Sequence, residues 1–81
     1  MPSLSELPGE VKQARFCKAL GRVGFVVNKV GGNGSHIKII WPSNQKSVTI
    51  PYSLPKQTLK YILSELEKIS GVTWNQIKQE L

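Results

Sequence analysis

The chain contains no aspartate, a single histidine and a single cysteine. One cysteine forms no internal disulfide, which fits a reducing compartment. One histidine, one cysteine and no aspartate do not assemble a structural zinc site or a two-metal site within one chain. A Ser-His-Asp triad is excluded, and a glutamate version would rest on Glu65, Glu67 and Glu80 near the C-terminus. Neither a P-loop nor a dinucleotide-binding fingerprint occurs. Long apolar runs are also missing: Phe25-Val26-Val27 and Ile39-Ile40-Trp41 are far too short to cross a bilayer. Met1 to Glu10 lacks the basic stretch and apolar run of a secretory signal. These absences lead us to expect a cytoplasmic protein with no membrane part.

Acidic residues are scarce where basic ones are dense. Eleven Lys and Arg face five Glu, a net charge of +6, and no acid lies between Val11 and Ser64. That stretch carries Lys12, Arg15, Lys18, Arg22, Lys29, Lys38, Lys46, Lys56 and Lys60. Positive charge without compensating carboxylates repels itself unless a polyanion is near. Nucleic acid, an anionic membrane surface and an acidic protein are the natural partners, against the plainer reading of a lysine-rich solvated surface.

With 81 residues, 40% of them hydrophobic, the chain makes one domain with one small core. A core of this size leaves room for stabilisation by a tight partner or by homodimerisation. Residues 1–9 form a polar stretch ending in Pro8-Gly9 and are expected to be a flexible tail, with a single domain over 10–81. From Glu10 to about Leu20, Phe16, Cys17, Leu20 and Val23 fall on one face at helical period, and Gly21 and Gly24 are stop signals. Phe25 to Val30 reads as a strand, Gly31 to Gly34 as a turn, Ser35 to Trp41 as a second strand, Pro42 to Gln45 as a turn, and Ser47 to Ile50 as a third strand ended by Pro51. Pro55 suits the first turn of a second helix striped by Leu59, Ile62, Leu63 and Leu66, with Gly71 at or after its end. Thr73 and Gln76 have capping-box spacing and predict a short last helix packed through Trp74, Ile77 and Leu81. The resulting fold class is α+β: a two-layer sandwich in the order α-β-β-β-α, with a three-stranded antiparallel sheet, an extra short C-terminal helix and one open sheet face.

Strand alternation puts Ile37, Ile39 and Trp41 on one side of the second strand, facing the helices, and His36, Lys38 and Ile40 on the other. Ser47 and Thr49 join the open side if Val48 and Ile50 face inward. A lone strand histidine most often does no chemistry, so placement alone leaves a role for His36 open. The glycine turn serves either as a hairpin loop needing positive φ or as a place where backbone N–H groups approach a phosphate. Trp41 and Trp74 read as core or interface anchors, and Cys17 as a small buried hydrophobe and not a nucleophile.

Five segments in this order resemble the HicA (YcfA) type of mRNA interferase toxins from bacterial toxin–antitoxin pairs. They are Leu20-Gly21 to Gly24-Phe25, Gly34-Ser35-His36, Val48-Thr49-Ile50-Pro51, Thr58 to Leu63, and Gly71-Val72-Thr73, so the likeness spans roughly residues 10–81. The resemblance implies a fold like a small double-stranded-RNA-binding domain and a ribonuclease that cleaves mRNA without a metal or other cofactor. It implies that His36 is the catalytic residue and that a HicB-type antitoxin is the partner. The neutral run Val30-Gly31-Gly32-Asn33 departs from the family, in which more basic residues are common there.

The chemistry agrees with the composition. RNA carries its own nucleophile in the 2′-hydroxyl, so the protein needs a base near neutral pKa, cationic stabilisation of the phosphorane and fixed geometry. On this reading His36 moves the proton, and Lys38 and Lys29 stabilise phosphate charge. Gly34 and Ser35 contact the RNA, and the remaining cations hold its backbone through salt-sensitive contacts. A second proton is supplied by water, a lysine or His36 of a second subunit, and the residues leave these open. The competing readings are a non-catalytic RNA-binding module of the same architecture and a basic protein-interaction domain. A DNA-binding role is disfavoured because no helix-turn-helix pattern is present.

Overall fold

A computed structural model describes residues 7–9, 11–29 and 36–81. Its elements run α1 (Gln13–Arg22), β1 (Val26–Asn28), β2 (Ile37–Trp41), β3 (Lys46–Ile50), α2 (Lys56–Ser70) and α3 (Trp74–Lys78). This is the expected α-β-β-β-α layout with a short last helix. The sheet order is β1-β2-β3, antiparallel throughout. α1 packs on β1 and β2, α2 on β3, and α3 against α1.

Phe16, Cys17 and Leu20 bury the apolar face of α1, and Val23 packs against the same core. The helix begins later than the periodicity suggests. Lys12 is extended and Val11 is already a core residue, so the chain enters α1 from a packed approach segment. Leu7 is only 4% exposed and sits in the same core. Leu7, near the end of the stretch expected to be a loose tail, is thus buried against the core. Residues 1–6 and Glu10 lie outside the described residues.

Gly21 does not stop α1, which continues through it to Arg22. Gly24 carries the reversal instead. Its φ of +117° favours glycine, and a Cβ there would stand 3.4 Å from the Trp41 ring. The next residue, Phe25, stacks on Trp41 with ring centroids 4.8 Å apart and planes tilted by 58°. Trp41 is thus the packed anchor expected of it.

The first two strands are shorter than their apolar runs. β1 holds only Val26 to Asn28, and β2 begins at Ile37. Val30, Ser35 and the turn Gly31 to Gly34 lie outside the described residues. β3 gains Lys46 at its start and ends before Pro51. In the turn between β2 and β3, Gln45 has φ +61° and donates its N–H to the Trp41 carbonyl at 2.8 Å. The Asn44 side chain accepts the Lys46 N–H at 3.0 Å and donates to the Ile69 carbonyl of α2 at 2.8 Å, fastening the turn to the helix layer.

Pro55 is the residue before α2 and not within its first turn. Leu59, Ile62, Leu63 and Leu66 are buried as the stripe predicts. Gly71 ends α2 in the left-handed conformation at φ +78° and donates to the Glu67 carbonyl at 2.8 Å. At α3, Gln76 Oε1 accepts the Thr73 N–H at 2.9 Å, the reach-back half of the capping box. Trp74 and Ile77 are buried, and the Trp74 indole N–H finds no hydrogen-bond partner among the described residues.

Candidate functional site

The register defines the uncovered sheet face. Lys38 pairs with Asn28 on one side and Thr49 on the other, and Ile40 pairs with Val26 and Ser47. Directly paired residues project to the same side of a sheet. One end of the face therefore presents an ammonium between an amide and a hydroxyl, and the other an apolar pair. Val26 is 49% exposed and Lys38, Ser47 and Thr49 are exposed, so none of the described helices covers this side. The opposite set, Val27, Ile39 and Val48, packs on the core, with Ile39 fully buried.

His36 lies immediately before β2, exposed to solvent and two residues from Lys38. Continued strand alternation puts it on the same side as Lys38, at the end of the open face where Asn28 and Thr49 stand. Gly34 and Ser35, the other expected contacts in this loop, lie outside the described residues.

Lys29 separates from this group. It follows Asn28, so it projects toward α1 while Asn28 and Lys38 share the open face. There it lines a groove of about 620 Å³ between α1 and β1, together with Arg15 and Lys18 of α1. Cys17 and Val27 form part of the groove's inner wall. Burial pushes the Cys17 thiol up from an ordinary 9.0 to about 11, against the smaller opposing pull of the Lys29 ammonium. The thiol therefore stays protonated and packs as a hydrophobe, as its place on the apolar stripe suggests.

Sequence reasoning did not single out Arg15 and Lys18 as a pair. Their i, i+3 spacing puts them on one side of α1, but which strand that side meets is set by packing. It also missed Gln13, whose side-chain amide donates to the Ile50 carbonyl at 3.1 Å and ties the start of α1 to the end of β3. Among the described residues no group of three or more His, Cys, Asp or Glu is placed to hold a metal ion. No described helix is long and apolar enough to cross a membrane.

Comparison with known proteins gives a family match. A family described as the HicA toxin of bacterial toxin–antitoxin matches residues 14–69, well over half of the chain. The matched span runs from α1 nearly to the end of α2 and includes Lys29, His36 and Lys38. No curated protein and no solved structure matches.

Proposed function

The chain belongs to the HicA toxin family of bacterial toxin–antitoxin pairs, and from that premise we propose that it is a metal-independent endoribonuclease that cleaves mRNA with His36 as general acid/base. What supports the reading is His36, exposed and immediately before β2, two residues from Lys38 of the uncovered sheet face, to which continued strand alternation assigns it.

The reaction draws its nucleophile from the substrate. His36 accepts the proton of a ribose 2′-hydroxyl as that oxygen attacks the adjacent phosphorus. The P–O5′ bond breaks, a second donor (water, a lysine or His36 of a second subunit) protonates the leaving 5′ oxygen, and a 2′,3′-cyclic phosphate remains. Lys38 balances the charge that builds on the phosphorane oxygens, where a placed cation counts most. Gly34 and Ser35, next to His36 in the chain, position the scissile phosphate. Lys29, turned toward α1, holds a flanking phosphate. The partner is a HicB-type antitoxin that blocks the toxin, and the setting is the cytoplasm, where mRNA is exposed.

End-group analysis of digested single-stranded RNA tests this chemistry. Cleavage in excess EDTA that leaves 2′,3′-cyclic phosphate and 5′-hydroxyl ends supports it. Products with 5′-phosphate ends, or activity lost to the chelator, would contradict it. Binding of RNA without any cleavage would favour the non-catalytic module.

A further inference from the structure

The groove between α1 and β1 has a composition that the reaction at His36 leaves unexplained. Arg15, Lys18 and Lys29 line it and are exposed, and none of the three makes an ion pair with a described residue. Three like charges around one slot of about 620 Å³ repel each other. Between them the wall is made of small or apolar groups, Ala14, Cys17, Gly21 and Val27, so the slot offers no hydrogen-bonding set for a small polar ligand. Its chemistry is that of a cationic channel with close access for a chain of anions.

Position narrows the occupant further. Lys29 follows Asn28, the cross-strand partner of Lys38, and His36 lies two residues before Lys38. Lys29 and His36 therefore stand at the same end of the β1–β2 pair, on opposite faces. Among the described residues β1 is an edge strand, so a polymer can pass around its outer edge from one face to the other. Arg15 and Lys18 sit about 5–6 Å apart at Cβ, one helical turn, the order of the distance between successive phosphates on one strand. An acidic protein would be served by the same charges, but a channel at the same end of the β1–β2 pair as His36 suits a strand whose reacting phosphate lies on the other face.

We propose that this groove carries the sugar-phosphate backbone of a single-stranded RNA flanking the cleavage point, with Arg15, Lys18 and Lys29 contacting successive phosphates. The proposal rests on the ribonuclease reading and adds to it a path for the substrate beyond the reacting phosphate.

The test measures affinity for a fully 2′-O-methylated single-stranded RNA of mixed sequence, which the enzyme cannot cleave, across a salt series. Each lost phosphate contact lowers the slope of log affinity against log salt by about 0.7. The triple variant Arg15→Gln/Lys18→Gln/Lys29→Gln should therefore lose about 2 from the slope. A charge-matched control outside the groove, Lys46→Gln/Lys56→Gln/Lys60→Gln, should lose clearly less. The single variant Lys29→Gln should lose about 0.7, which guards against misfolding of the triple. Equal slope losses in the groove and control triples, in a wild type that does cleave RNA, would overturn the track and leave the nuclease standing. Unchanged RNA binding in the groove triple, with weakened binding of a polyglutamate peptide, would overturn it in favour of an acidic protein. A wild type that neither binds nor cleaves RNA would remove the nuclease reading and the track with it.

Discussion

Cys17 and His36 are the only two side chains of their kinds, and they meet opposite surroundings. Cys17 is 2% exposed on the packed face of α1, and its thiol titrates near 11 because burial disfavours the thiolate. It should react with a thiol reagent at neutral pH only after unfolding, and rapid labelling of the native protein would contradict that placement. The same shift has a stability consequence. Above pH 9.0 the unfolded chain sheds the Cys17 proton, while the folded chain holds it to about 11. The unfolded state then binds fewer protons, so stability is lost as pH rises through that window. Urea unfolding on either side of the window should show a smaller alkaline loss in Cys17→Ala than in the wild type. Lys38 makes a second residue-scale case. Lys38→Gln should lower the cleavage rate at saturating RNA by about 10²-fold, while Lys38→Arg retains most of it. Equal rates in all three proteins would remove Lys38 from the chemistry.

At the scale of elements, the two glycines near the end of α1 make different demands. Gly24 combines φ +117° with the Trp41 ring 3.4 Å from a would-be Cβ, so Gly24→Ala should cost about 1–3 kcal/mol in urea unfolding. Gly21 sits inside α1, with Val27 at an ordinary 3.6 Å from that position. Gly21→Ala should therefore stabilise by roughly 0.5–1 kcal/mol through helix propensity. Destabilisation of similar size at both positions would contradict the assignment of the reversal to Gly24 alone. These two glycines also mark where sequence reading runs out. Both look like stop signals, and only the packing of Phe25 and Trp41 selects the second. The stripe of α2 and the alternation along β2 were legible because each is set by burial of one face. The start of α1 was not, because Lys12 gives no side-chain cap and Val11 is drawn into the core ahead of the helix. Lys29 was grouped with Lys38 by charge. Its turn toward α1 follows from a register that pairs Asn28 with Lys38, which no single strand reveals.

For the molecule as a whole, charge is divided by position along the chain. The acids stand at the two ends, and the nine cations between Val11 and Ser64 include those of both the open sheet face and the α1–β1 groove. A protein built this way should bind RNA with a steep salt dependence, and kcat/KM should fall as salt rises while the rate at saturating RNA changes little. A flat profile would contradict a backbone-led interaction. The order of motifs along the chain carried the family resemblance, and the match over residues 14–69 places the chain in that family. The proposed catalysis rests on one imidazole, two residues from the Lys38 ammonium of the open face. The most direct measurement is the RNA cleavage rate of His36→Ala beside the wild type, with folding checked by thermal melting and binding by affinity for 2′-O-methylated RNA. The account predicts a loss of roughly 10²–10⁴-fold in rate with melting and binding preserved; a folded His36→Ala protein that cleaves RNA as fast as the wild type would contradict it.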